Sequence, residues 1–275
     1  MKAAVYSIEG KKVREREMPE VFETPFLPEL IKRAVLSMQS AGMQPKGAFS
    51  RAGRETTAVY VGARHLPTFR RTINTGMARR PRSKEKRELL YGRVLGIAGV
   101  VGGIKAHAPN SGKILKEKIN KKEKRKALNS AIGATARADL AKSRGHVFGE
   151  EIKLPLVVEA EIEKISKTKK AIETMKALHL WDDIQKAKQK KRVRSGKGKK
   201  RGRKYKRAKS VLVVAKEPKA LYKAARNIEG VEVVGIRNLN AELLAPGTMA
   251  GRLTLWSEAA LDELEKESKK EGKEK

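Results

Sequence analysis

The spacing of apolar residues changes several times along the chain, and each change predicts an element. Ala3 to Ser7 reads as a short strand ended by a turn at Glu9-Gly10-Lys11. Leu27, Leu30, Ile31, Ala34, Val35 and Met38 then recur at helical spacing and predict a helix with one apolar face. Pro25 and Pro28 stand at its start, and Gly42 where a C-cap glycine belongs. A second helix is predicted from Asn120, which forms a capping pair with Glu123, through Ala127, Leu128, Ala131 and Ile132. Leu154 to Val158 reads as a buried strand, with Val147 and Phe148 shortly before it. Ile162 to Leu180 reads as a helix carrying Ile165, Ile172, Met175 and Leu178 on one side. The clearest α/β signal follows: the apolar run Val211 to Ala215, a short helix Pro218 to Ala225, and the β-branched run Val231 to Ile236. Leu243-Leu244 and Leu253 to Trp256 read as short strands or turns. From Ser257 a charged helix turns Ala260, Leu261 and Leu264 inward. Strand runs alternating with helices predict an α/β fold, a single globule with a mostly parallel sheet flanked by helices.

Two stretches break this pattern. Residues 44–82 hold nine basic residues (Lys46, Arg51, Arg54, Arg64, Arg70, Arg71, Arg79, Arg80 and Arg82) and one acid, Glu55. Only Thr57 to Val61 resembles a strand fragment, and the glycine-rich run Gly92 to Gly103 leads to a turn at Pro109-Asn110-Ser111-Gly112. In residues 186–209, 15 of 24 positions are Lys or Arg and none is acidic, among them Arg192, Arg194, Lys197, Lys199, Lys200, Arg201, Arg203 and Lys204. Neither stretch has the apolar content for a core of its own. The expected organisation is a globule built from 1–43, 110–185 and 210–275, an extended Arg/Gly-rich loop at 44–109, and a basic internal arm at 186–209.

Composition sharpens this. The 275 residues include 64 Lys plus Arg against 31 Asp plus Glu, a net charge of +33, and the two basic stretches supply most of the excess. Such a chain repels itself, and a polyanion relieves the repulsion. Arginine suits phosphate because its planar fork binds bidentately and is weakly hydrated. Phe49, Tyr60, His65 and Phe69 are interleaved with the cations; each fits base stacking or local packing equally well. The second stretch fits a localisation-type patch or a nucleic-acid tail, but it lies between two folded segments rather than at a terminus.

Enzymatic readings find little support. Without cysteine there is no disulfide, thiolate ligand or thiol nucleophile. The glycines of 96–103 lack dinucleotide-binding spacing, and no phosphate-loop ending is present. His65, His107, His146 and His179 are scattered without metal-ligand spacing, and Asp182-Asp183 reads as a solvated helix feature. No cofactor, metal or membrane span is expected; the apolar runs are short and the N-terminus shows no signal-type segment. The reading is an intracellular, nucleic-acid-associated protein.

Several motifs then point further. Thr75-Gly76-Met77-Ala78-Arg79-Arg80-Pro81-Arg82, Val101-Gly102-Gly103-Ile104-Lys105-Ala106-His107-Ala108-Pro109, Arg144-Gly145-His146 before Leu154-Pro155-Leu156-Val157-Val158, and Arg194-x-Gly-Lys-Gly-Lys-x-Arg occur together. With these the chain resembles the archaeal and eukaryotic branch of the universal large-subunit ribosomal protein family "L four". The resemblance implies a non-enzymatic, cytoplasmic ribosomal protein that binds large-subunit ribosomal RNA and assembles early. It also implies a loop that threads the RNA to the nascent-peptide exit tunnel and forms a constriction with the "L twenty-two" family. On that reading Thr75, Gly76, Met77, Ala78 and Arg79 line the lumen beside the nascent polypeptide, and Lys105 joins the RNA-contacting cations. The competing reading, a DNA-binding or chromatin-type architectural protein, shares the charge but calls for a groove-reading helix or intercalating wedge, and neither motif is present.

Overall fold

The computed structural model describes residues 1–84, 89, 91–149 and 152–273. Parts of the predicted loop (85–88 and 90) and of the predicted globule (150–151 and 274–275) lie outside them. The chain opens with an antiparallel hairpin of β1 (Lys2–Tyr6) and β2 (Lys12–Glu17). Gly10 makes its turn at φ +82, where a Cβ would stand 2.3 Å from the Ala177 carbonyl oxygen, so only glycine fits. Helix α1 (Pro28–Ala41) starts on proline, whose missing N–H is harmless there, and buries Ile31, Ala34 and Val35. Gly42 does end α1, but in a right-handed conformation (φ −79), so its glycine freedom is not used. Helix α2 (Lys121–Thr135) begins after Asn120, whose side chain makes no capping hydrogen bond; the predicted capping pair does not form. Helix α3 (Ala138–Arg144) closes on Gly145 at φ 93 and leads towards β3 (Leu156–Val158).

The helix predicted across 162–180 is two pieces, a 3-10 turn at Ala160–Lys164 and α4 (Thr168–Ala177), and a further helix, α5 (Trp181–Gln189), follows it. Long-range bonds explain the first break. The Glu163 carboxylate accepts the backbone N–H groups of Lys216 (2.8 Å) and Glu217 (3.0 Å), tying the turn to another segment. The second break is at His179, which takes a left-handed φ of 55 so that buried Leu180 can lead into α5. Beyond α5 lie a two-residue ladder of β4 (Arg192–Val193) with β5 (Tyr205–Lys206), then β6 (Leu212–Ala215), α6 (Lys219–Ala225) and β7 (Glu232–Gly235). Leu243-Leu244, predicted as strand or turn, lie in a single helical turn, α7 (Ala241–Leu244), which the Asn240 side chain caps by accepting the Leu243 N–H at 2.9 Å. Strand β8 (Thr254–Ser257) runs directly into α8 (Glu258–Lys273).

The main sheet has six strands in the order β2-β1-β3-β8-β6-β7, parallel throughout except the β1–β2 edge pair. The mostly parallel α/β architecture expected from the pattern is therefore present. Residues on each central strand alternate between two cores. Val5, Val157, Leu212, Val214 and Trp256 face one side, with α1, α2 and α8; Trp256 meets Phe22 edge-on at 5.2 Å. Leu156, Val158, Val213 and Leu255 face the other, with α4, α5 and α6. Covered on both faces, the strands read as continuous apolar runs.

Residues 1–42 and 116–275 form this unit; residues 43–115 form a second compact unit. The second unit is built from turns and two isolated bridges, Val59 to Arg82 and Arg82 to Val94. Its interior is small: Thr72, Ile73 and Ser83 are buried. The Thr72 hydroxyl accepts the Val61 N–H at 3.0 Å, and Thr72 N–H donates to the Val61 carbonyl at 2.9 Å.

Candidate nucleic-acid interface

The cations singled out in the sequence fall into two groups that share one property. In the 43–115 unit, Lys46, Arg51, Arg54, Arg64, Arg70, Arg79, Arg80 and Lys105 are exposed, while Arg71 and Arg82 are half-buried. In the first unit, Arg192, Arg194, Lys197, Lys199, Lys200, Arg201, Arg203 and Lys204 are all exposed. Among the described residues none of these side chains is paired with a carboxylate. Several cations of the globule, by contrast, meet carboxylates. Arg16 bridges Glu258, Asp262 and Glu265 of α8, Arg237 meets Glu263, and Arg252 meets Glu232. Acidic residues are thus spent on the globule, and the two basic segments keep their charge for something outside the chain.

Within the 43–115 unit the two half-buried arginines shape the backbone. Arg82 donates to the Gly92 carbonyl at 2.8 Å and to the Ala78 carbonyl at 3.1 Å; Arg71 donates to the Arg64 carbonyl at 3.0 Å. Arg70 lies over the Phe69 ring at 5.4 Å, and Phe69, Phe49 and Tyr60 are all exposed. Between these braces, Gly76, Met77, Ala78 and Arg79 are exposed and Thr75 is half-buried. Gly76 has φ +74 and open space around it, as a turn tip requires.

The second basic segment leaves the globule later than its composition suggested. Helix α5 continues to Gln189 and buries Ala187, so the excursion runs from Lys190. Nor is it featureless. Its ends pair through β4 and β5, a 3-10 turn spans Lys197–Arg201, and Lys191 and Arg207 both reach Glu229. Lys191 and Lys204 also lie over the Tyr205 ring, at 5.0 and 5.5 Å. Anchored at its base, the segment holds its outer cations unpaired in solvent.

The expectation that Asp183 is solvated is overturned. Asp183 is 4% exposed and lies 3.0 Å from Nδ1 of His146; it also accepts the Ser210 hydroxyl at 2.6 Å and the Val147 N–H at 3.0 Å. Burial pushes its carboxyl up, but these partners outweigh burial and hold it below its ordinary range. Sequence spacing hides this cluster because its members come from distant segments. Next to it sits Arg252, fully buried, donating to Glu232 (2.6 Å) and to the carbonyls of Ser210 (2.8 Å) and Leu243 (2.9 Å). Burial lowers its basicity and Glu232 opposes that. Among the described residues no group of His, Asp and Glu could hold a metal ion, and no helix is long and apolar enough to cross a membrane.

Comparison with known proteins agrees with the motifs. The chain is 43% identical to the large ribosomal subunit protein uL4 of Methanosphaera stadtmanae, over 96% of both chains. It is 44% identical to the protein of that name from Methanocaldococcus jannaschii, over 96% of this chain and 98% of the other. It is 46% identical to that of Methanococcoides burtonii, over 96% and 97%. Residues 17–267 match the sequence pattern described as the Ribosomal protein L4/L1 family, and the chain belongs to that family.

Proposed function

We propose that this protein is an architectural component of the large ribosomal subunit in the cytoplasm, binding large-subunit ribosomal RNA through two basic segments and carrying out no catalysis. The observation that carries the reading is the segregation of charge. Among the described residues, globule arginines such as Arg16, Arg237 and Arg252 meet carboxylates, while the cations at 46–82, Lys105 and those at 192–204 meet none and are mostly exposed. Binding would release counterions from the RNA at each phosphate contact, so affinity falls steeply with salt. Specificity comes from RNA shape and backbone geometry.

The finer assignment is that the long loop reaches the nascent-peptide tunnel and lines it with Thr75, Gly76, Met77, Ala78 and Arg79, beside a protein of the "L twenty-two" family. The exposed glycine-containing tip between arginine braces supports it: Thr75, Gly76 and Ala78 take little room in a passage, and exposed Arg80 is left for RNA. The test is crosslinking from a photoreactive nascent chain in stalled ribosomes. Crosslinks to residues 75–79 are expected. Crosslinks confined to the globule would refute the tunnel assignment and leave ribosomal membership, measured by sedimentation with large subunits after a high-salt wash, to be judged separately.

A further inference from the structure

The two edges of the main sheet differ in how they are defended. On β2 five of six residues are charged (Lys12, Arg14, Glu15, Arg16 and Glu17), and charge along an edge discourages pairing with another chain. The other edge, β7, reads Glu232-Val233-Val234-Gly235. Its one charge is taken up inside the chain, because Glu232 meets Lys209 and Arg252. Val233 packs on one core and Val234 on the other, and both stay only half-buried, so each face of the edge keeps apolar surface to cover.

The backbone of β7 is open as well. In a parallel ladder the N–H and C=O of one residue face the same neighbouring strand, and those of the next residue face away from it. Glu232 donates its N–H to the Val211 carbonyl at 3.1 Å, so Glu232 and Val234 face β6. The N–H and C=O of Val233 point the other way, beyond the last strand of the sheet. They border a groove of about 710 Å³ that Val233 lines together with Tyr222, Arg226 at the end of α6, Leu243 of α7, and Tyr205 and Lys206 of β5. Tyr205 and Tyr222 are exposed, and among the described residues neither Lys206 nor Arg226 forms an ion pair with a carboxylate, whereas Arg207 and Lys209 do.

A donor and an acceptor side by side on one residue are what a residue of an added antiparallel strand closes with its own C=O and N–H. We propose that β7 accepts a seventh strand, an extended segment of a different polypeptide whose apolar side chains cover Val233 and Val234 and whose carboxylates meet Lys206 and Arg226. RNA brings the same charge, but phosphates only accept, which leaves the Val233 carbonyl without a donor. A second copy of this chain would set the same cations against each other.

The test is amide hydrogen exchange, read residue by residue on the full-length chain. The probe is a synthetic heptapeptide that alternates valine and threonine between glutamates at its two ends. At about 1 mM peptide the Val233 amide is expected to exchange about tenfold more slowly, as 1 + [L]/Kd requires for a Kd of about 0.1 mM, while the Val234 amide, already bonded to β6, keeps its rate. A copy of the peptide N-methylated throughout keeps the charge but has no backbone donors, and it should leave Val233 unprotected. An unchanged Val233 rate with the first peptide, or equal protection by the N-methylated copy, overturns strand addition. Protection of Val233 by oligouridylate makes the groove an RNA surface and overturns it too. Arg226→Glu, an exposed change, should weaken the peptide about fivefold, the scale of one exposed ion pair; undiminished affinity overturns the acidic character of the partner.

Discussion

At the scale of single residues, two carboxylates of the globule are held ionised by their neighbours. Asp183 ties His146 and Val147 to Ser210, and its ionised form is the one these donors favour. Glu232 is likewise held below its ordinary value, burial raising it but Arg252 and Lys209 outweighing burial. A carboxyl depressed in the folded state contributes stability that is present above its unfolded value and lost as pH falls through the lower folded one. The ordinary values are 3.8 for Asp183 and 4.5 for Glu232, so the contribution is complete at neutral pH and disappears on acidification below them. The groups facing Asp183 are His146, Ser210 and, at longer range, Arg252. Asp183→Asn is therefore expected to flatten the acid limb of a stability-against-pH curve measured by denaturant unfolding. An acid limb with its original slope would show that Asp183 carries none of it. Arg252→Met leaves the Glu232 carboxylate partly unpaired and the Ser210 and Leu243 carbonyls without their donor; breaking a buried pair this way costs about 3–5 kcal/mol. Thermal unfolding of the variant checks this.

At the scale of elements, periodicity located most helices and strands, and the departures have local causes. The 162–180 stretch keeps helical spacing, yet Glu163 is claimed by the backbone of Lys216 and Glu217, and His179 reverses the chain. Where α5, the returning basic segment and β7 meet, Gly230 sits at φ +81. A Cβ there would lie 2.8 Å from the Ala208 carbonyl oxygen and 2.9 Å from the Ala187 side chain. Gly230→Ala combines left-handed strain with a backbone clash, so a loss of about 1–3 kcal/mol is expected, read as a lowered melting temperature. The outer basic segment behaves differently, because among the described residues its exposed cations at 192–204 make no ion pair with the globule. Replacing Arg201, Arg203 and Lys204 with alanine should leave the melting temperature alone. The slope of log affinity against log salt for large-subunit RNA should flatten by about 2 to 3, as three lost phosphate contacts require. An unchanged slope would take this segment out of the RNA interface.

At the scale of the whole molecule, the net charge of +33 sets the solution behaviour. Self-repulsion acts against the compact state, and any polyanion that binds the folded chain stabilises it. Added large-subunit RNA should raise the melting temperature at low salt, and added sodium chloride should erase that gain; calorimetry with and without RNA decides. What the sequence by itself determined is the α/β class, the two segments rich in cations and poor in apolar residues, and the motifs of the ribosomal family. All three are written in local composition and short-range spacing. Tertiary structure decided which cations are neutralised, since Arg16 finds α8 and Arg252 finds Glu232 across gaps in sequence that no spacing rule spans. It likewise decided that Asp183 and His146 meet, because burial and hydrogen bonding are set by how the segment after α3 packs on α5, and packing joins residues that the chain keeps far apart.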